Sequence, residues 1–269
     1  MAIAALAAGE WVGLSPEALR PKLAELHKAE PDFTKRLLQV SKNFEGAPYV
    51  FSPLGEGPGH SPDPDPLFRT DVFDCLSLVE TSLALAAEPD LTKAEQTLQK
   101  IRYSDGRVDF GWRKHFPESQ WIPQNAPWLT DITQDVGGAL AVRVQKLITP
   151  ETYATRKQAL DLVIPKERVP NGTFRWWVIP LDKVEEVMAR IPSGTLLWVV
   201  REDFHSTPFR ISHVGIVVQH KGGTYLRHAK EGGVHKVIEM PLMDVVRRHQ
   251  EFTKWPAVGV SLYAAHEPE

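Results

Sequence analysis

A single cysteine, Cys75, stands among 269 residues, and this scarcity excludes an internal disulfide as a source of stability. An excess of one charge is lacking too: 31 Lys and Arg face 34 Asp and Glu, a formal net charge of −3, and no basic run disturbs the balance. Nothing here offers the electrostatic footprint of a nucleic-acid binder or of a protein drawn to an acidic membrane. Long hydrophobic runs are missing, since no stretch approaches the ~20 apolar residues of a membrane span. Paired-cysteine spacings and a His-Glu-x-x-His motif are absent, which removes the usual zinc signatures. His205, His213, His220, His228 and His235 are scattered. Residues seven apart on an unbulged strand point to opposite faces, so His213 and His220 do not share an ion. Neither a metal nor a cofactor is expected.

What is present suits one sizeable core. Apolar residues make up 42% of the chain, and 269 residues suffice for a single large domain. The expectation is one domain over 1–269, monomeric, with a helical extension over about 1–46 and an aromatic-rich insertion over about 104–170. The first residues, Met1 to Gly9, are small and apolar like the tail of a secretory signal but lack a basic n-region. A trimmed signal and a plain helical start both fit them.

Ser15-Pro16-Glu17 places an N-cap, an N1 proline and a first-turn acid before Leu19, Leu23 and Leu26, which predicts a helix. Phe33, Leu37, Val40 and Phe44 predict a second, ending at Gly46. From Pro48 to Asp74, repeated Pro and Gly exclude regular structure and predict an ordered loop. That loop delivers Asp74-Cys75. Leu76, Val79, Leu83 and Ala86 recur at three and four, so Cys75 opens a helix that packs inward, with Asp74 as its N-cap. Unpaired N–H groups and the positive end of the helix dipole favour an anion there, so the thiol is expected to ionise more easily than a free one. A packed structural cysteine is the competing reading.

Thr92-Lys93-Ala94-Glu95 reads as a capping box for the next helix. The aromatics from Phe110 to Trp128 either bury an irregular insertion or line a groove, and His115 among them reads as a solvated surface residue. Pro150 to Pro170 is amphipathic but punctuated. Strands are predicted over Phe174–Ile179, Thr195–Val200, His213–Gln219, Thr224–Ala229, His235–Met240 and Val258–Tyr263, with Gly222-Gly223 and Gly232-Gly233 as hairpin turns. Helices first and strands last predict an α+β architecture: a meandering antiparallel sheet with the cysteine helix packed on it.

A cysteine on a helix followed by histidines on later strands is the chain order of a papain-like nucleophile, base and orienter. Asp74-Cys75, Ser212-His213-Val214-Gly215-Ile216 and His228-Ala229 resemble the signature blocks of NlpC-type papain-like cysteine peptidases of bacterial cell walls. Glu80, Arg102-Tyr103-Ser104-Asp105-Gly106, Asp131-Ile132-Thr133 with Gly137-Gly138, and Ile191-Pro192-Ser193-Gly194-Thr195 resemble one branch of them, the N-acetylmuramoyl-L-alanine amidase-like proteins. The likeness runs from about Tyr49 to Tyr263. It implies a papain-like fold, Cys75 as nucleophile, His213 as base and His228 as orienter. It also implies a peptidoglycan fragment as substrate and a periplasmic or secreted location, with the amide between N-acetylmuramic acid and L-alanine as the scissile bond. Tyr49, Asp74, Glu80, Tyr103, Trp112 and Ser212 are the candidate substrate contacts. Two alternatives stay open: a D-glutamyl-diaminopimelate endopeptidase, as in the wider superfamily, and a catalytically silent wall-binding module.

Overall fold

The computed structural model describes residues 9–154 and 164–268. The opening residues read above as signal or helix, and the middle of the Pro150 to Pro170 segment, lie outside the described residues. Helix α1 (Pro16–Ala29) begins on Ser15, whose Oγ accepts the N–H of Ala18. Helix α2 (Phe33–Asn43) begins on Asp32, whose carboxylate accepts the N–H of Lys35 at 2.8 Å. Helix α3 (Cys75–Ala87) carries the expected cap and strengthens it. Asp74 Oδ1 accepts the N–H of Ser77 at 2.7 Å while Ser77 Oγ accepts the N–H of Asp74 at 2.9 Å, a reciprocal capping box. In helix α4 (Leu91–Arg102) the cap is Asp90, which accepts the N–H of Lys93, and not Thr92. Thr92 is already the second helical residue, so Asp90, the residue just before the helix, takes the role.

Among the described residues eight strands follow: β1 (Leu129–Asp131), β2 (Val142–Ile148), β3 (Gly172–Pro180), β4 (Thr195–Arg201), β5 (Ile211–His220), β6 (Gly223–Lys230), β7 (Lys236–Pro241) and β8 (Ala257–Ala265). They form one antiparallel sheet in the order β2-β3-β8-β4-β5-β6-β7, with β1 also paired to β8. The fold is thus α+β, with N-terminal helices and a large antiparallel sheet. The expected meander holds only for β4 to β7. The last strand returns to lie between β3 and β4, where a Cβ on Gly259 would stand 2.3 Å from the carbonyl oxygen of Ile179, so only glycine permits that approach. A C-terminal helix (Leu242–Glu251) joins β7 to β8. It lies outside the elements expected from sequence, and it buries Leu242, Val245 and Val246.

The unbroken apolar run of β4 reflects burial on both faces. Leu196, Trp198 and Val200 join Val79 and Leu83 of α3 in one core, and Leu197 and Val199 join Val245 and Val246 of the C-terminal helix in another. A third core ties Leu19 and Leu23 of α1 and Val40 of α2 to Leu78 and Leu85 of α3 and to Ala229 and Val237 of the sheet. The N-terminal helices therefore hold α3 from behind. Its first residue is fixed against the strands that carry the histidines.

Candidate active site

Cys75 is the first residue of α3 and stands in a cavity of about 250 Å³ lined also by Leu54, Asp74, His115, Ser212 and His213. Within the first turn, Asp74 takes the N–H of Ser77 by its side chain and of Leu78 by its carbonyl. The N–H groups of Cys75 and Leu76 have no such role and lie near the sulfur. Burial pushes the Cys75 thiol up to about 12 and the Asp74 charge adds to this, while the N–H groups of Val214, Leu76 and Cys75 act against it. This corrects the expectation of an acidic thiol: dehydration and a neighbouring carboxylate outweigh the helix start.

His213 on β5 and His228 on β6 are joined by a 2.6 Å hydrogen bond between His213 Nε2 and His228 Nδ1, with ring centroids 4.9 Å apart and planes at 80°. His213 lies on the wall of the Cys75 cavity, without a direct hydrogen bond to the sulfur, and its remaining ring nitrogen is Nδ1. Burial holds His213 down to about 4, Arg201 and Lys230 adding to it, and holds His228 well below the usual imidazole range. Both rings are therefore neutral at pH 7. The contact depends on Gly215. A Cβ there would lie 2.7 Å from Leu226 Cγ, 2.9 Å from the Arg227 carbonyl oxygen and 3.0 Å from His228 Cβ.

The cavity floor is a buried ionic knot. Glu80, 1% exposed, pairs with Arg102 and accepts the indole N–H of Trp121 at 2.8 Å. Burial pushes the Glu80 carboxyl up even against Arg102, whose own proton is held more tightly. Arg102 also donates to the Leu54 carbonyl at 2.9 Å, drawing the Pro- and Gly-rich loop to the floor. Tyr103 continues the clamp by donating to the Gly55 carbonyl at 3.0 Å and Glu56 Oε1 at 2.9 Å, and Arg113 binds both Glu56 and Asp63. The loop is ordered, as expected, by partners remote in sequence.

Several expected contacts change accordingly. Tyr103 is fully buried and offers no ring face to a ligand, a correction that follows from its two buried acceptors. Trp112 is not on the cavity wall: its ring lies 4.5 Å from the Arg107 guanidinium and 4.1 Å from that of Arg168. Glu80 lines the cavity, yet both its oxygens are engaged. Tyr49 bridges to Phe73, and its phenol is raised by burial first and then by the charges of Cys75 and Asp74, which puts it beside the site. Ser212 Oγ accepts from Arg201 Nε at 2.7 Å. His115 is not a solvated residue: its Nε2 donates to the Phe110 carbonyl at 2.7 Å and its ring lines the cavity, burial lowering it to about 4. Phe51, 75% exposed at the cavity mouth, had no signal in spacing. Of the aromatic insertion, Phe116 and Trp121 are core, the Trp121 ring 5.1 Å from that of Trp198 and tilted against it by 57°. Among the described residues, no three His, Cys, Asp or Glu side chains converge as a metal site.

The fold has solved counterparts. A Legionella pneumophila protein of the DUF1460 family shares 22% identity over 94% of this chain and 96% of its own, with a TM-score of 0.81. A Bacteroides uniformis N-acetylmuramoyl-L-alanine amidase shares 22% identity over 87% of this chain and 99% of its own, with a TM-score of 0.70. A putative xylanase from Bacteroides fragilis, 21% identical over 83% of this chain and 98% of its own, gives 0.66. At these identities the likeness shows the fold alone. No curated protein matches in sequence. Residues 39–253, which run from α2 through the cysteine helix and both histidine strands into the C-terminal helix, match one family model, and the chain belongs to that family, the AmiA-like, N-acetylmuramoyl-L-alanine amidase-like proteins.

Proposed function

We propose that the protein is a cysteine-dependent peptidoglycan amidase of papain-like, NlpC type that cuts the amide between N-acetylmuramic acid and L-alanine. The observation that carries this reading is the sharing of one cavity wall by Cys75 and His213, with His213 bonded through Nε2 to His228. With His213 donating Nε2–H to His228 Nδ1, the lone pair on His213 Nδ1 is left to take a proton. A neutral base then faces a protonated thiol. The thiol proton passes to His213 Nδ1 as sulfur attacks the amide carbonyl, so charge develops on the oxyanion and the imidazolium together. The N–H of Cys75 at the helix start then serves that oxyanion, a donor worth about 3 kcal/mol in comparable sites. His213 returns the proton to the leaving amine, the C–N bond breaks, and a thioester remains on Cys75. Water, deprotonated by the same ring, then releases the acid and regenerates the thiol.

His228 acts as orienter by fixing the tautomer of His213. Asp74 shapes the rim as the cap of α3, Ser212 and Tyr49 lie beside the reacting groups, and Phe51 offers an exposed ring for a sugar or peptide. Glu80 acts through the floor it builds. The whole chain works as one catalytic domain, in the periplasm or outside the cell. The test is digestion of a muramyl-tetrapeptide and, separately, of the free tetrapeptide, with products identified by mass. Release of intact tetrapeptide from the first and no cleavage of the second is expected. Cleavage of the free peptide after D-glutamate would make the protein an endopeptidase instead.

A further inference from the structure

Behind the histidine pair lies a second cavity of about 510 Å³, which shares only Ser212 and His213 with the first. Its walls carry Arg201, Lys230 and Arg248 with His249, against one carboxylate, Glu231. Arg201 is 6% exposed, and the hydrogen bonds of its three nitrogens all end on neutral groups: Ser212 Oγ at 2.7 Å, the Trp255 carbonyl at 2.9 Å and His249 Nδ1 at 2.9 Å. Its guanidinium lies 5.1 Å from the Phe252 ring. A buried cation without a counter-charge is costly, and burial alone weakens its hold on its proton to about 10. Lys230 is lowered by burial and then by Arg248, so the two exert like-charge pressure on one space. A second observation is independent of charge. His228 is 4% exposed, lines this cavity and not the first, and its Nε2 has no hydrogen-bond partner.

We propose that this rear cavity binds an oxyanion, a carboxylate or phosphate group, held by Arg201, Lys230 and Arg248 and accepting the Nε2–H of His228. The tautomer that frees His213 Nδ1 as a base places a proton on His228 Nε2, and an oxyanion supplies the acceptor this buried N–H lacks. The anion also opposes the positive field around the pair, so it favours the imidazolium that forms when His213 takes the thiol proton. That second effect rests on the role proposed for His213. The binding itself does not.

The experiment titrates the full chain with inorganic phosphate by calorimetry in a buffer free of other oxyanions, and repeats it with Lys230→Gln/Arg248→Gln and with Arg248→Gln alone, an exposed position that spares the fold. Circular dichroism checks each variant. Phosphate affinity should fall about tenfold or more in the double variant, and less in the single one. Phosphate should also speed alkylation of Cys75 by the neutral reagent iodoacetamide in the wild type and not in the double variant. A second arm asks whether the anion is carried by the substrate, by comparing a muramyl-tetrapeptide with its carboxyl-amidated form on Cys75→Ala protein. Tighter binding of the free-carboxylate form, erased by Lys230→Gln/Arg248→Gln and competed by phosphate, assigns the cavity to a substrate carboxylate. Phosphate binding without that difference assigns it to a free anion. If neither phosphate nor the carboxylated muropeptide binds in a way the basic side chains control, the proposal is overturned, whatever the enzyme cleaves. Binding that survives with no change in alkylation refutes the coupling to His213 alone.

Discussion

Replacing Glu80 separates a structural anchor from a substrate contact. Its carboxylate pairs with Arg102 and accepts from Trp121 in the cavity floor, all three side chains being buried. Glu80→Ala leaves the Arg102 guanidinium without its counter-charge, a change that costs ~3–5 kcal/mol where one partner of a buried pair is removed. The Trp121 indole N–H loses its acceptor as well, worth about 1–3 kcal/mol more, although the two terms share one carboxylate and do not add in full. A loss of about 4–5 kcal/mol is a large part of the ~5–15 kcal/mol that holds a typical domain. It corresponds to a fall in Tm of roughly 10 °C or more for a chain of this size. Glu80→Gln keeps an acceptor for Trp121 and removes only the charge, so it should fall between wild type and Glu80→Ala. Removing both partners, as Glu80→Leu/Arg102→Leu, should recover part of the loss. Urea unfolding followed by tryptophan fluorescence and circular dichroism measures all four. Stability of Glu80→Ala within about 1 kcal/mol of wild type, below the range for such a pair, would refute the anchor and return Glu80 to the list of substrate contacts.

Gly215→Ala should lose nearly all turnover, because the new methyl meets the Arg227 backbone and His228 Cβ and displaces the ring bonded to His213. Full activity in that variant would show that the place of His228 is immaterial. Because His213 is held down to about 4, its ring stays neutral in mild acid, so kcat/KM should persist to about pH 5 and fall through pH 4. An acid limb centred near 6.5 would contradict this. In linkage terms, His213 contributes stability that is complete above about 6.5 and is lost as pH falls toward 4, while Glu118, raised by burial from 4.5 to about 7, works in the opposite sense over nearly the same range and offsets it. The thiol, pushed up by burial, should react with iodoacetamide slowly at pH 7 and faster with each step toward alkaline pH. Rapid, pH-independent alkylation at neutral pH would mean a preformed thiolate.

Local signals carried the helices that place the site. Ser15 and Asp74 cap what their spacing says they cap, and the apolar run from Thr195 to Val200 is a strand buried on both faces. The position of β8 was not legible, since the return of the last strand between β3 and β4 depends on close approach at Gly259 and on no neighbour in sequence. The same limit applies to the site. Glu56 and Arg113 are 57 residues apart, and Arg201 and His249 are 48 apart, so the clamp on the loop and the wall of the rear cavity have no local trace. Tyr103 and His115 are buried where the sequence suggests exposure, the first to ligand and the second to water. An aromatic or imidazole in a polar stretch does not announce its burial; long-range partners decide it. The thiol was misjudged because the helix start is visible in sequence and the dehydration around it is not.

The central claim is that Cys75 carries the acyl half of the muramyl amide during turnover. Mixing the protein with a muramyl-tetrapeptide, quenching in acid within the first turnovers and mapping the digest by mass spectrometry reads this directly. The expected result is an adduct of muramic acid, joined through its lactyl carboxyl as a thioester, on the peptide containing Cys75, absent in Cys75→Ala and stripped by hydroxylamine. A peptidyl adduct at Cys75, or product release with no adduct while Cys75→Ala remains active, would contradict it.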